Sequence, residues 1–215
     1  MAINDDLGSL LNNTRVFLEN NALLIHGADG PSANHTFVLQ ATDQEGWKSA
    51  VGGVRDIPRY ICYPESMPID LGVGQRSAAF AAVSVSMRSF NAVTGAYEDT
   101  ATTHHVLPTD GPTIMVTTML SGCTFGIGSN AGGARLVSHV RPPEGRRDNQ
   151  ARLLLDQTIR GGFQGGGRLK VSVMSSLDQR GTVVGIRTGD AWTFYAQQFS
   201  YVGGVGVVNS VQVYH

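Results

Sequence analysis

The stretch Pro112-Thr113-Ile114-Met115-Val116-Thr117-Thr118-Met119-Leu120-Ser121-Gly122-Cys123-Thr124-Phe125-Gly126-Ile127 decides the fold. Its first nine residues are mostly β-branched or apolar, which predicts a strand over Pro112–Leu120. Ser121-Gly122 breaks that strand, and Cys123 to Ile127 restarts as a second one. Small residues from Ser129 to Gly133 make a loop, and Ala134 to Val140 reads as a third strand closed by Pro142-Pro143. Cys123 therefore opens one arm of a predicted hairpin, and His139 falls near the end of the other. In an antiparallel pair those two ends are neighbours, so thiol and imidazole can lie side by side.

The same pattern extends outward. Val83-Ser84-Val85-Ser86-Met87, within Ala78–Phe90, alternates with period two and predicts a half-buried strand turned back at Val93–Tyr97. Arg15–Leu18, Ala22–Ile25 and Thr36–Leu39 are apolar runs of strand length. Leu169–Met174, Val183–Ile186, Trp192–Phe199 and Val205–Val213 supply further strands. Two helices are predicted: a short one over Asp5–Asn12, and one over Asp148–Arg160 with Asp148 as N-cap and Gly161-Gly162 as terminator. Gly pairs such as Gly52-Gly53 and Gly203-Gly204 punctuate the apolar runs. No repeat, low-complexity tract or long linker divides the chain. The expectation is one α+β domain over 1–215: a strand-rich β-sandwich of mixed sheets with flanking helices.

At 215 residues and 41% hydrophobic, the chain can bury a sizeable core. A net charge of −1 provides no global field toward nucleic acid or an anionic membrane, so neither is expected as a partner. No apolar run approaches the ~18 residues of a membrane helix, and the N-terminus shows no secretory signal pattern. Two cysteines, Cys62 and Cys123, make no disulfide framework. Cys62, between Ile61 and Tyr63, reads as core.

A Cys with a nearby His is the minimum equipment for nucleophilic attack on a carbonyl. Taken singly, a cysteine more often only packs, and a histidine is more often structural. The Gly bend and the hairpin raise the pair above that background.

Leu120-Ser121-Gly122-Cys123, followed by His139 after a short strand-loop-strand, resembles the signature of the cytotoxic necrotizing factor catalytic domain and of Burkholderia lethal factor. These bacterial toxins deamidate a glutamine of a host protein. The resemblance covers Thr113 to His139, with a weaker echo in Val184-Gly185-Ile186 and Trp192–Ala196. It implies a β-sandwich with flanking helices, Cys123 as nucleophile and His139 as base. It also implies that the backbone carbonyl of Thr117, six residues before the Cys, orients His139, provided the chain turns between Thr117 and Cys123. Leu120, Ser121 and Gly122 then form the motif and oxyanion region. The expected partner is a host protein, a small GTPase or a translation factor by analogy. The protein is expected to be a monomeric bacterial product acting in the host cytosol, with no cofactor and no metal. Chemotaxis-receptor glutamine deamidases are similar at Ser138–Pro142 but carry their cysteine near the N-terminus.

Other readings stay open. Cys123 could be a core residue of a non-enzymatic binding domain, or the nucleophile of another thiol acyl hydrolase such as a protease or transglutaminase. Arg141, Arg146 and Arg147, with Arg152, form a basic cluster that is either a solvated face or a docking patch for an acidic region of the target. His104-His105 reads as a surface loop pair, since no Cys, Asp or Glu stands at ligand spacing. Gly126-Ile127-Gly128-Ser129-Asn130-Ala131 formally fits a dinucleotide fingerprint, but a strand follows where a helix is required.

Overall fold

The computed structural model describes residues 3–28, 34–42, 46–67, 74–88, 90–91, 96–97, 104–130, 132–141, 168–174 and 179–215. Two helices, α1 (Ile3–Asn12) and α2 (Thr14–Asn20), open the chain. The first strands are β1 (Ala22–Ile25), β2 (Asn34–Thr42), β3 (Trp47–Ser49), β4 (Arg55–Asp56), β5 (Arg59–Pro64) and β6 (Phe80–Val85). Then come the short β7 (Met87–Arg88), β8 (Phe90–Asn91), β9 (Ala96–Tyr97) and β10 (His105–Val106). The central segment holds β11 (Ile114–Thr117), β12 (Leu120–Ser121), β13 (Thr124–Ser129) and β14 (Arg135–Val140). The chain closes with β15 (Arg168–Met174), β16 (Gln179–Thr188), β17 (Ala191–Val202) and β18 (Val205–Tyr214). Among the described residues the protein is strand-rich, 57% strand against 12% helix, with mixed, curled sheets.

The large sheet runs β1-β5-β2-β6-β11-β16-β17-β18-β3-β4, with β12 also paired to β16. Three of its pairings, β1 with β5, β11 with β6 and β18 with β3, are parallel. The long β16–β17–β18 meander is antiparallel. A smaller sheet, β10-β14-β13-β15 with β7 on β14, stacks on it. Val85, Met115, Leu120, Val183 and Phe194 of the large sheet pack with Cys123, Phe125, Ile127 and Val137 of the small one. On the opposite face of the large sheet, Leu10, Phe17 and Leu18 of the helices cover Leu23, Phe37, Leu39 and Val116.

Curling brings the end strand β1 back over β16 and β17. The Leu23 N–H donates to Gln197 Oε1 (2.9 Å), and Thr182 Oγ1 donates to the Leu23 carbonyl (2.7 Å). Gln197 Nε2 donates to the carbonyls of Leu18 and Asn21, both at 2.6 Å. One buried amide thus satisfies main-chain groups that would otherwise be desolvated without partners.

Two elements depart from the sequence expectation. Arg15–Leu18 is helical, not extended. Within α2 the buried residues are Thr14, Phe17 and Leu18, a helical i, i+3, i+4 face. Val16 points outward, and Arg15 pairs with Glu19 one turn on at 2.8 Å. The predicted strand over Pro112–Leu120 is interrupted after Thr117, where the Met119 N–H turns to the Ile25 carbonyl (3.4 Å) before β12 resumes. The helix expected over Asp148–Arg160 lies outside the described residues, as do Arg146, Arg147 and Arg152.

Candidate active site

The motif sits where the chain changes sheets. Leu120 and Ser121 still pair with Gly181 and Arg180 of the large sheet, whereas Thr124 already pairs with Val140 of the small one. Gly122 makes the corner with φ +75°, a left-handed conformation that costs a side-chain-bearing residue free energy. Cys123 follows it at the root of β13.

The hairpin of β13 and β14 pairs Phe125 with His139. Residues directly opposite share a face, and so do residues two apart on one strand. Phe125 and His139 therefore face the sheet interface, and Cys123, two residues before Phe125, belongs to the same face. Both candidate catalytic side chains are buried: Cys123 is 3% exposed and His139 1%.

Thr117 reaches His139 from the other sheet. Its hydroxyl lies 2.7 Å from His139 Nδ1 and donates to the Val85 carbonyl at 2.8 Å. The contact runs through the side chain, which corrects the expectation of a backbone carbonyl. The reason is positional: Thr117 ends a strand paired to β6, so its backbone lies in the plane of the large sheet while its β-branched side chain crosses to the small one. The hydroxyl has one proton, and a carbonyl can only accept. With that proton on Val85, Nδ1 must donate to Thr117, which leaves the lone pair on Nε2. Nε2 is buried and has no hydrogen-bond partner among the described residues.

The charge states follow from burial. Loss of hydration, helped by the nearby His105 ring, pushes the His139 imidazole down to about 3, so it is neutral at physiological pH. Burial pushes the Cys123 thiol up, partly offset by a backbone hydrogen bond with Ser121 and by the Arg141 charge. The thiol sulfur lies 3.7 Å from Met87 Sδ and 3.8 Å from the Ser121 carbonyl. The resting pair is thus a neutral thiol and a neutral imidazole, not a thiolate–imidazolium pair. Cys62, also buried, is pushed up to about 12 by desolvation alone.

Two neighbours escaped sequence reasoning. Met87 pairs in parallel with His139 and so shares its face. The alternation Val83, Val85, Met87 already marked the inward side of that stretch, which was the available signal. His105 pairs with Val137, two residues from His139, and is buried. This corrects the reading of His104-His105 as a surface loop pair: His105 and the buried Leu107 alternate with the exposed Val106. Among the described residues, no three His, Cys, Asp or Glu side chains converge on a metal position. Arg141, next to the end of β14, is exposed, and its field reaches the Cys123 thiol. No described helix is long and apolar enough to cross a membrane.

Compared with known proteins, the chain matches no family model and no curated sequence.

Proposed function

We propose that the protein is a cysteine-dependent protein-glutamine deamidase of the toxin type, with Cys123 as nucleophile and His139 as general base. The reading rests above all on the Thr117–His139 contact of 2.7 Å, whose proton count leaves Nε2 of a neutral imidazole as a bare acceptor. It draws further support from the shared face of Cys123 and His139 and from the Gly122 corner beside the thiol. A strand-rich fold with mixed sheets is compatible with the β-sandwich of the deamidase toxins.

In the proposed reaction the thiol turns from Met87 toward Nε2. The thiol proton passes to Nε2 as sulfur bonds to the glutamine carboxamide carbon. Backbone N–H groups of the Gly122–Cys123 bend hold the developing oxyanion. The carbon–nitrogen bond breaks, and the imidazolium returns its proton to the departing ammonia. Water, deprotonated by Nε2, then hydrolyses the thioester to glutamate and restores the thiol. The Thr117 hydroxyl keeps the proton on Nδ1 throughout. Arg141 would dock an acidic region of a host-protein target, together with Arg146 and Arg147. The target would be a small GTPase or a translation factor, met in the host cytosol by a monomeric bacterial product without a cofactor.

One observation favours a second reading: the thiol is almost fully buried against Met87, as in a binding domain whose cysteine only packs. The test is incubation of the protein with eukaryotic lysates and mass spectrometry for Gln-to-Glu conversion. Conversion by the wild type and none by a folded Cys123→Ser variant is the expected result. No conversion in varied lysates by well-folded protein would favour the binding domain.

A further inference from the structure

Three donors of soft or borderline character lie on one face of the small sheet. His139 and Met87 are parallel register partners, and Cys123 shares the face through Phe125. The Cys123 and Met87 sulfurs stand 3.7 Å apart. Two sulfurs bound at ~2.3 Å to one ion, at angles between tetrahedral and trigonal, would be ~3.7–4.0 Å apart. The sulfur pair is therefore already spaced to share an ion. His139 Nε2 is the third donor. It carries a lone pair, it is 1% exposed, and it has no hydrogen-bond partner among the described residues. Its other ring nitrogen is held by Thr117 in the way that the outer hydrogen bond of a metal-ligating histidine fixes its tautomer.

We propose that Cys123, Met87 and His139 form a binding site for a soft monovalent metal ion of the copper(I) class. Ligand type and charge select that class. Thiolate and thioether sulfurs favour copper(I), while oxygen-seeking cations find no carboxylate cluster among the described residues. One thiolate with one monovalent cation is net neutral, so the buried site carries no uncompensated charge. A divalent ion on the same ligands would leave a buried positive charge, which is costly. On binding, the Cys123 sulfur–hydrogen bond is replaced by a sulfur–metal bond and one proton leaves to solvent. No electron transfer is involved. The proposal does not depend on catalysis, although an ion held here would occupy the thiol that the deamidase reading requires.

The test is anaerobic titration of the purified full chain with copper(I) against a chromophoric copper(I) chelator, followed by X-ray absorption of the loaded protein. One ion per chain is expected, bound through two sulfurs and one nitrogen. Cys62→Ser should bind as the wild type, and Cys123→Ala should lose the site. Met87→Leu should weaken binding at least about tenfold. Unfolding midpoints verify that each variant is folded, and the absorption spectrum of the wild type needs no variant. Binding that survives Cys123→Ala, or a loaded wild type without a second sulfur and a nitrogen around the ion, would overturn the proposal. So would equal affinity of Met87→Leu and wild type. Deamidation measured on metal-free protein is a separate readout, so either reading can fail alone.

Discussion

Replacing Thr117 by valine removes one hydroxyl at nearly constant shape, so little cavity energy confuses the result. The structure assigns that hydroxyl two partners, His139 Nδ1 at 2.7 Å and the Val85 carbonyl at 2.8 Å. Both are buried, and a buried polar group left without its partner costs about 1–3 kcal/mol. Thr117→Val should therefore destabilise the fold by about 2–4 kcal/mol. It should also release the tautomer lock. The Nε2–H form of the imidazole becomes populated, and that form cannot accept the thiol proton. A loss of about 1–3 kcal/mol in orienting the base corresponds to a deamidation rate lower by about 5- to 150-fold. Thr117→Ser keeps a hydroxyl and should recover most of both losses. The assays are urea unfolding, the time course of Gln-to-Glu conversion, and imidazole nitrogen shifts by NMR, which report the tautomer without any substrate. A valine variant that keeps the Nδ1–H tautomer and the wild-type rate would refute the role assigned to Thr117.

Three further outcomes follow from burial and hydrogen bonding. Burial lowers the folded-state pKa of His139 to about 3, against 6.5 for an ordinary imidazole. Between those values the unfolded chain binds the extra proton and the folded chain does not. The stability linked to His139 is thus complete above about pH 6.5 and declines as pH falls toward 3, by about 3 kcal/mol at pH 4.5; His139→Gln should flatten that slope in urea midpoints taken at pH 7 and 4.5. With its pKa raised by burial, Cys123 should react with iodoacetamide slowly near pH 6 and faster as pH rises, while Cys62 stays protected until unfolding. A fast plateau at pH 5–6, located at Cys123 by peptide mapping, would mean a resting thiolate instead. Gln197→Leu leaves the Leu23 N–H and the Leu18 and Asn21 carbonyls without their buried partner, and should lower the unfolding free energy by about 3 kcal/mol, read from chemical denaturation.

Strand content was legible because β-branched and alternating residues report a local preference. The hairpin of β13 and β14 was legible because two apolar arms flank a loop of small residues. Arg15–Leu18 was misread because four apolar or long residues fit either period, and only packing of Phe17 and Leu18 under the sheet chose the helix. Cys123 and His139 could be named from the Ser-Gly bend and the hairpin. Met87 and His105 could not, because each reaches the site by pairing with β14 from a different part of the chain.

By itself, the sequence determined which residue types were present for chemistry, where the chain had to bend at Gly122, and that Cys123 and His139 lie at matching ends of adjacent strands. Tertiary structure alone decided the stacking of the small sheet on the large one. That stacking sets the Thr117 hydroxyl, and not its carbonyl, against His139. It also removes water from both the thiol and the imidazole, which fixes them neutral at rest. Protonation and tautomer depend on burial and on partners distant along the chain, and no local pattern of residues encodes either.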